Sequence, residues 1–232
     1  MPLKIKLPVI LLAALFAAAC AGAKKQTAPQ PAFAPPAKME KYPDLTESKK
    51  AAEIFYRNLL KGDTTQEERS WLAKVTAENN PVAVYLMGNV FYTGKDYKMA
   101  KNILKPSADQ GFGPAQLEYA ISCMETNCPA VETIAYFMLA QKSKLNDASV
   151  PANAAMEILE KRASKKTLDA ARARADAIES AYLPEFQRSI TSMELVYFSV
   201  YLNAMLGYDK DKKEKQKEQK EVANYAQEKK AL

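Results

Sequence analysis

The placement of glycine is the sequence feature that most constrains the fold of this 232-residue chain. The chain has only seven glycines, and Gly88, Gly94 and Gly111 fall within one segment, GNVFYTGKDYKMAKNILKPSADQG. Glycine costs a helix interior about 1 kcal/mol relative to alanine, yet it is favoured just past a helix end. The segment therefore predicts helices over 82–93 and 96–110, ended by Gly94 and Gly111 in left-handed conformations.

Gly88 needs another explanation, because it lies inside the first of these two helices. A glycine at this position lets a paired helix approach closely, and Ala100 and Ala108 on the second helix are also small. We expect the two helices to form an antiparallel hairpin in which Gly88 is a packing notch.

The rest of the chain also predicts helices and lacks strand signals, with no long β-branched alternation and no Asn-Gly or Asp-Gly pair. A capping box of Thr64 and Glu67 is expected to open a helix that ends near residue 78. Further helices are predicted over 47–61, 150–162, 167–182 and 184–206, with Gly62 just past the first of them. The expected fold class is all-α.

The helical hairpin resembles a known repeat. The residues that carry the resemblance are Ala83, Met87, Gly88, Phe91, Gly94, Asp96, Ala100, Ala108, Gly111, Ala115 and Gln116. Their spacing is similar to that of a Sel1-like repeat, a relative of the tetratricopeptide repeat. A weaker second copy follows, in which Ala135 lies thirty-five residues after Ala100, the period of the family.

This resemblance implies a helical-hairpin solenoid over residues 46–183, closed by a capping helix at the carboxyl end. Residues 46–78 would form a degenerate first repeat, and 150–182 would cap the array. A single repeat cannot bury its apolar face, so stacked neighbours would form the core and leave a concave surface for partners.

The amino-terminal residues predict export. Lys4 and Lys6 precede an apolar run, Leu7 to Ala19, which is short for a membrane span and suits a signal peptide over 1–19. Cys20 follows directly and resembles the lipidated cysteine of a bacterial lipobox, and Ala21 favours the outer membrane. The alternative is ordinary cleavage after Ala19, which would leave a soluble periplasmic protein.

Residues 20–45 are expected to form a lipid-anchored tether. The segment is rich in alanine and lysine, lacks apolar periodicity and holds five prolines, which keep the backbone extended. We expect it to hold the helical domain away from the membrane.

The amino-acid composition excludes several kinds of catalytic and metal-binding site. The chain has no histidine, which excludes histidine-based triads and metal sites in their usual forms. Its net charge is +6, but the basic residues are interleaved with acidic residues rather than clustered on one face. Nucleic acid is therefore not an expected partner. No metal or cofactor is expected. Glu53, Glu67, Glu118 and Glu157 are placed on exposed helix faces, solvated or ion-paired.

Cys123 and Cys128 are the two cysteines that remain after Cys20. Four intervening residues across a helix end allow the approach that a disulfide needs, so we expect a structural disulfide. A redox or metal pair is the alternative, but the pair lacks the Cys-x-x-Cys spacing typical of oxidoreductases.

The helix predicted over 184–206 carries two apolar stripes. Ile190, Met193, Tyr197 and Val200 form the first stripe, which we assign to the core. Leu195, Phe198, Leu202 and Met205 form the second stripe, which packs in the core or binds a partner. Residues 207–232 are rich in Lys, Glu and Gln and are expected to form a solvated helix or tail.

Together these features predict a non-catalytic scaffold lipoprotein that organises an envelope assembly, such as an exporter, pilus, motor or cell-wall machinery. The alternative is a protein that binds cell-wall glycan or acts on peptidoglycan through carboxylates.

Overall fold

The structure of the chain is a computed structural model that describes residues 44–62, 64–181 and 191–205. Every regular element in these residues is an α-helix, which confirms the all-α class. The helices are α1 (Leu45–Lys61), α2 (Gln66–Ala77), α3 (Pro81–Thr93), α4 (Tyr97–Asp109), α5 (Gly113–Glu125), α6 (Ala130–Ala140), α7 (Asn146–Arg162), α8 (Lys165–Glu179) and α9 (191–205). The predicted signal peptide, nearly all of the tether and the charged tail lie outside the described residues.

Local side-chain chemistry sets several helix starts. The carboxylate of Asp44 accepts hydrogen bonds from the first amides of α1, so this helix begins within the segment predicted to be tether. The capping box of α2 is one residue later than predicted. Thr65 accepts from the amide of Glu68, and the Glu68 carboxylate accepts from the amide of Thr65. This reciprocal pairing satisfies two backbone donors that the helix cannot satisfy itself.

Four consecutive helix ends use the same backbone turn. Asn79, Lys95, Gly111 and Asn127 lie sixteen residues apart and have left-handed φ angles of 59°, 62°, 86° and 55°. At each turn the left-handed residue donates its N–H to the carbonyl three residues back, and the next residue donates to the carbonyl five residues back. This pair of bonds defines the Schellman motif, which satisfies helix carbonyls that lack a partner.

The prediction that Gly94 and Gly111 are both left-handed is correct for Gly111 and wrong for Gly94. Gly111 is left-handed, but Gly94 is in the right-handed region with φ −73° and ψ −2°. Lys95 adopts the left-handed conformation instead, so that Asp96 can bond to the Phe91 carbonyl at 2.9 Å. Asp96 also caps α4 by accepting from the amide of Met99 at 3.1 Å.

Gly88 lies where α3 and α4 approach each other. It is buried, and a Cβ atom placed on it would lie 2.5 Å from Cδ2 of Leu104, whose side chain is fully buried on α4. The residue that packs against Gly88 is therefore the large side chain of Leu104. The buried small residues Ala100 and Ala108 lie on either side of it along α4.

Helices adjacent in sequence pack on each other from α3 to α6. Helices α1 and α2 pack on α3, and α7 and α8 both contact α6. Helices α3 and α5 begin thirty-two residues apart, at Pro81 and Gly113. Ala100 is the fourth residue of α4 and Ala135 the sixth of α6, so their thirty-five-residue spacing is not the spacing of the helix starts.

None of the helices within the described ranges is both long and apolar enough to cross a membrane.

Candidate functional site

The outer face of α9 combines exposure with apolar side chains. Leu195, Leu202 and Met205 are 57%, 43% and 37% exposed. Phe198, the fourth residue of the predicted partner stripe, is only partly exposed and packs against the core. We call Leu195, Leu202 and Met205 the outer face. Residues 191–205 contain a single charged residue, which is buried, so the outer face is uncharged.

The opposite face of α9 is buried. Met193, Tyr197 and Val200 belong to the main hydrophobic core, as the sequence pattern predicted, while Ile190 lies outside the described residues. The Tyr197 ring lies 5.5 Å from that of Tyr85 and 5.6 Å from that of Phe112, measured between centroids. These edge-on contacts join α9 to α3 and to the turn before α5.

A buried carboxylate fixes how α9 is docked. Glu194 is 1% exposed and accepts three hydrogen bonds: from the amide of Gly113 at 3.1 Å, the hydroxyl of Ser143 at 2.7 Å and the amide of Lys144 at 2.9 Å. Burial raises the pKa of Glu194, while these bonds act in the opposite direction. The three donors lie on two different segments, so they hold α9 in one orientation and leave its outer face exposed.

A polar cleft of about 470 Å³ lies beside Glu194. Its lining includes Lys142 and Glu179, which form an ion pair at 2.6 Å, together with Ser143 and Thr191. Lys144 also lines the cleft, so its charged residues are two lysines and two glutamates, whose formal charges balance.

Glu118 corrects a sequence prediction, because it is buried rather than exposed. Tyr85 and Asn89 of α3 donate to its Oε1 atom at 3.2 Å and 2.7 Å, and its Oε2 atom has no hydrogen-bond partner. Burial raises the pKa of Glu118 to about 8, so the group is mostly protonated at neutral pH. Glu53, Glu67 and Glu157 are exposed, and Glu53 and Glu157 pair with nearby lysines.

Cys123 and Cys128 lie on either side of the turn after α5. Both are free thiols in the structure, so the disulfide stays a prediction. Cys123 is fully buried and hydrogen-bonds to Cys128, which is partly exposed. Lys101 of α4 donates to the Cys128 sulfur at 3.5 Å. The Cys123 hydrogen bond, Thr126 and Lys101 together lower the pKa of Cys128 to about 6, whereas that of Cys123 is raised.

The other predicted site residues divide by position. Ala83, Ala100, Ala108 and Ala115 are buried between helices, Phe91 is partly buried and Gly94 is exposed. Cys20 lies outside the described residues. Within the described part of the chain, no cluster of three or more Cys, Asp or Glu side chains is arranged to hold a metal ion.

The burial of Glu118, Glu132 and Glu194 and the repeated turn were not predicted from the sequence. The partners of Glu118 and Glu194 come from distant parts of the chain, so no local pattern marks them. The sequence signal for the turn is the sixteen-residue spacing of Asn79, Lys95 and Gly111. It is visible only if residues other than glycine are considered for the left-handed position.

Comparison of the chain with family models, curated proteins and solved structures finds no match.

Proposed function

We propose that the chain is a non-catalytic scaffold lipoprotein that binds an envelope protein through the outer face of α9. The observation that carries the proposal is the contrast between the two faces of this helix. One face is buried in the core, while Leu195, Leu202 and Met205 are exposed and uncharged on the other. Exposed apolar clusters of this kind are typical of interaction sites.

The partner's chemistry follows from this face. The exposed residues of α9 also include the uncharged polar residues Ser199 and Asn203. The face therefore offers hydrogen bonds but no ion pairs, and its complement is a largely apolar, uncharged surface on the partner. Large side chains buried at the centre of an interface supply most of its binding energy. We propose an envelope protein that presents such a surface, and Leu195 and Leu202 as the side chains that it covers.

The finer architecture and location are part of the same proposal. The helix-after-helix packing and the repeated turns support a solenoid of Sel1-like or tetratricopeptide-like hairpins, in which the thirty-two-residue spacing is shorter than the family period. Lipidation of Cys20 would place the protein at the periplasmic face of the outer membrane. Cys20→Ser should abolish acyl labelling and release the protein into the soluble periplasmic fraction; retention in membranes would contradict the anchor.

Purification from detergent-solubilised envelopes tests the docking face. The double variant Leu195→Ser/Leu202→Ser should lose co-purifying envelope proteins while its melting temperature stays within about 2 °C of wild type, because exposed substitutions change stability little. Val150→Ser is the matched control, since Val150 is 58% exposed on α7. Unchanged co-purification in the double variant, or self-association of the wild type through this face, would overturn the proposal.

The alternative function, a carboxylate-based protein acting on the cell wall, has one observation in its favour. Glu118 is mostly protonated at neutral pH, the state that a general acid needs. However, its carboxyl group is enclosed by Tyr85 and Asn89, and the cleft beside Glu194 does not include it. Turnover of muropeptides by the wild type, lost in Glu118→Gln, would favour this alternative.

A further inference from the structure

The turn after α5 brings two sulfur atoms together through its backbone. Asn127 is the left-handed residue of this Schellman motif, and Cys128 donates its N–H to the Cys123 carbonyl at 2.9 Å. In such a motif the side chains at these two positions usually contact each other. The equivalent positions sixteen residues earlier hold Ser107 and Phe112. The Cys-x4-Cys spacing is therefore the spacing at which this turn pairs two side chains.

The two cysteines have unequal surroundings. Cys123 is fully buried and also hydrogen-bonds to Tyr119 of the same helix. Cys128 is partly exposed and lies beside the Lys101 ammonium at 3.5 Å and the Thr126 hydroxyl at 3.7 Å. A nearby cation and hydrogen-bond donors stabilise a thiolate. Cys128 is therefore the thiolate of the pair at neutral pH, and Cys123 is the protonated donor.

Access to the pair comes from one side. Cys128 is partly exposed, and its chain neighbours Asn127 and Pro129 are exposed, whereas Cys123 is fully buried in the core. A reagent from solvent reaches Cys128 first. This order of access matches the order of reactivity that the charges impose.

We propose that Cys128 and Cys123 form a thiol–disulfide exchange site for low-molecular-weight disulfides, in which Cys128 attacks and Cys123 resolves. The Cys128 thiolate bonds to one sulfur of the external disulfide, whose S–S bond breaks and releases a thiolate that takes a proton from solvent. Cys123 then attacks the Cys128 sulfur, the mixed disulfide breaks, and the Cys123 proton leaves with the second thiol. The two protein thiols are oxidised to one disulfide, and the external disulfide is reduced to two thiols.

This site is separate from the docking face. It uses α4, α5 and the turn before α6 and involves neither α9 nor Cys20, so a failure of the docking proposal leaves it unchanged.

The first test is the pH profile of alkylation. The full chain carrying Cys20→Ser is reduced, treated with iodoacetamide from pH 5 to 9, and read by peptide mass spectrometry. Cys128 should reach half of its maximal rate near pH 6, and Lys101→Met should move this midpoint upward. Lys98→Met, at an exposed lysine one turn earlier on α4, is the control and should leave the midpoint in place. A midpoint near the ordinary cysteine value of about 8.5 would overturn the proposal.

The second test uses oxidised glutathione as the external disulfide at pH 6.5. The Cys20→Ser chain should form the Cys123–Cys128 disulfide, and the additional change Cys123→Ser should trap glutathione on Cys128. With Cys128→Ser instead, the adduct on Cys123 should form at least about tenfold more slowly. Equal rates for the two cysteines, or no internal disulfide, would contradict the proposed order of attack. If Cys123→Ser does not fold, the alkylation pH profile, which uses the chain with both cysteines, tests the proposal by itself.

Discussion

The segment from α3 to the turn after α5 and the helix α9 are held in place by different kinds of contact. In the first segment each helix follows the last through a Schellman turn, and the turns recur every sixteen residues. Helix α9 is held by contacts that cross long stretches of chain, such as Glu194 with Gly113 and Tyr197 with Tyr56. Local turns set the direction of successive helices, whereas distant contacts set the orientation of α9.

This difference explains where the outer face comes from. In the middle segment each helix has neighbours before and after it, and most of α5 is buried. Helix α9 docks through one side only, so its other side keeps Leu195 and Leu202 exposed. The two segments should therefore respond differently to substitution.

The largest effect is expected at the docked side of α9. Tyr197→Ala removes a buried ring that contacts Tyr85 and Phe112, and should lower the free energy of unfolding by about 3–5 kcal/mol. Leu195→Ala, on the outer face of the same helix, should change it by less than about 0.5 kcal/mol. Urea unfolding measures both variants. Similar losses would mean that α9 does not have one docked side and one free side.

The buried carboxyl groups of Glu118 and Glu194 should respond unequally to pH. Because the folded pKa of Glu118 is raised to about 8, its contribution to stability is present below its unfolded pKa and is lost as pH rises toward 8. Each unit of pKa shift is worth about 1.4 kcal/mol, so a loss of a few kcal/mol is expected between pH 4.5 and pH 8. Glu118→Gln should remove this loss and be more stable than wild type at pH 8.

Glu194→Gln is the comparison for that measurement. Glu194 also has a raised pKa, which gives the same sign, but three donors stabilise its ionised form. Denaturant midpoints at pH 5 and pH 8 should therefore change less with pH for Glu118→Gln than for Glu194→Gln. An unchanged pH dependence in Glu118→Gln would show that Glu118 is ionised in the folded state.

A smaller effect is expected at the notch between α3 and α4. Gly88→Leu should cost about 1–3 kcal/mol by overpacking against Leu104. Gly88→Ala should cost less, although its Cβ also needs space that Leu104 occupies. Adding Leu104→Ala should reduce the cost of Gly88→Ala, since residues in contact are coupled. Thermal unfolding of wild type, Gly88→Ala, Leu104→Ala and the double variant measures this coupling. Additive effects on stability would show that the two residues are not in contact.

The smallest effect is expected at the repeated turns. Lys95 adopts a left-handed conformation that costs an L-residue about 1 kcal/mol, so Lys95→Gly should be stabilising by up to that amount. Lys49→Gly, at an exposed position inside α1, should be destabilising by about 1 kcal/mol. A loss of stability in Lys95→Gly would show that the turn does not strain the lysine.

The sequence predicted features whose cause is local. The two stripes of α9 follow from helical periodicity, so Met193, Tyr197 and Val200 were assigned correctly to the core. Phe198 is the intermediate case, since it packs partly against the core although its stripe is otherwise exposed. The capping box was found within one residue, because Thr64 and Thr65 are equally able to cap and only the backbone distinguishes them.

Features that depend on distant residues were missed. Glu118 resembles an exposed helix glutamate until Tyr85 and Asn89 are placed against it from another helix. The left-handed conformation of Lys95 has no local cause in its side chain, since lysine does not favour it. The left-handed conformation lies at Lys95 because the next residue, Asp96, caps the start of α4. The preference of glycine for helix ends had placed that conformation at Gly94.

The sixteen-residue turns also bear on the order of folding. Contacts between neighbouring helices close short loops, whereas the bond of Glu194 to Gly113 closes a loop of eighty-one residues. Short loops cost less entropy and form faster, so we expect the middle helices to assemble in the folding transition state before α9 docks. Tyr197→Ala should then speed unfolding and leave the refolding rate nearly unchanged, which stopped-flow kinetics can measure. Docking of α9 would be the last step to form and the first to open.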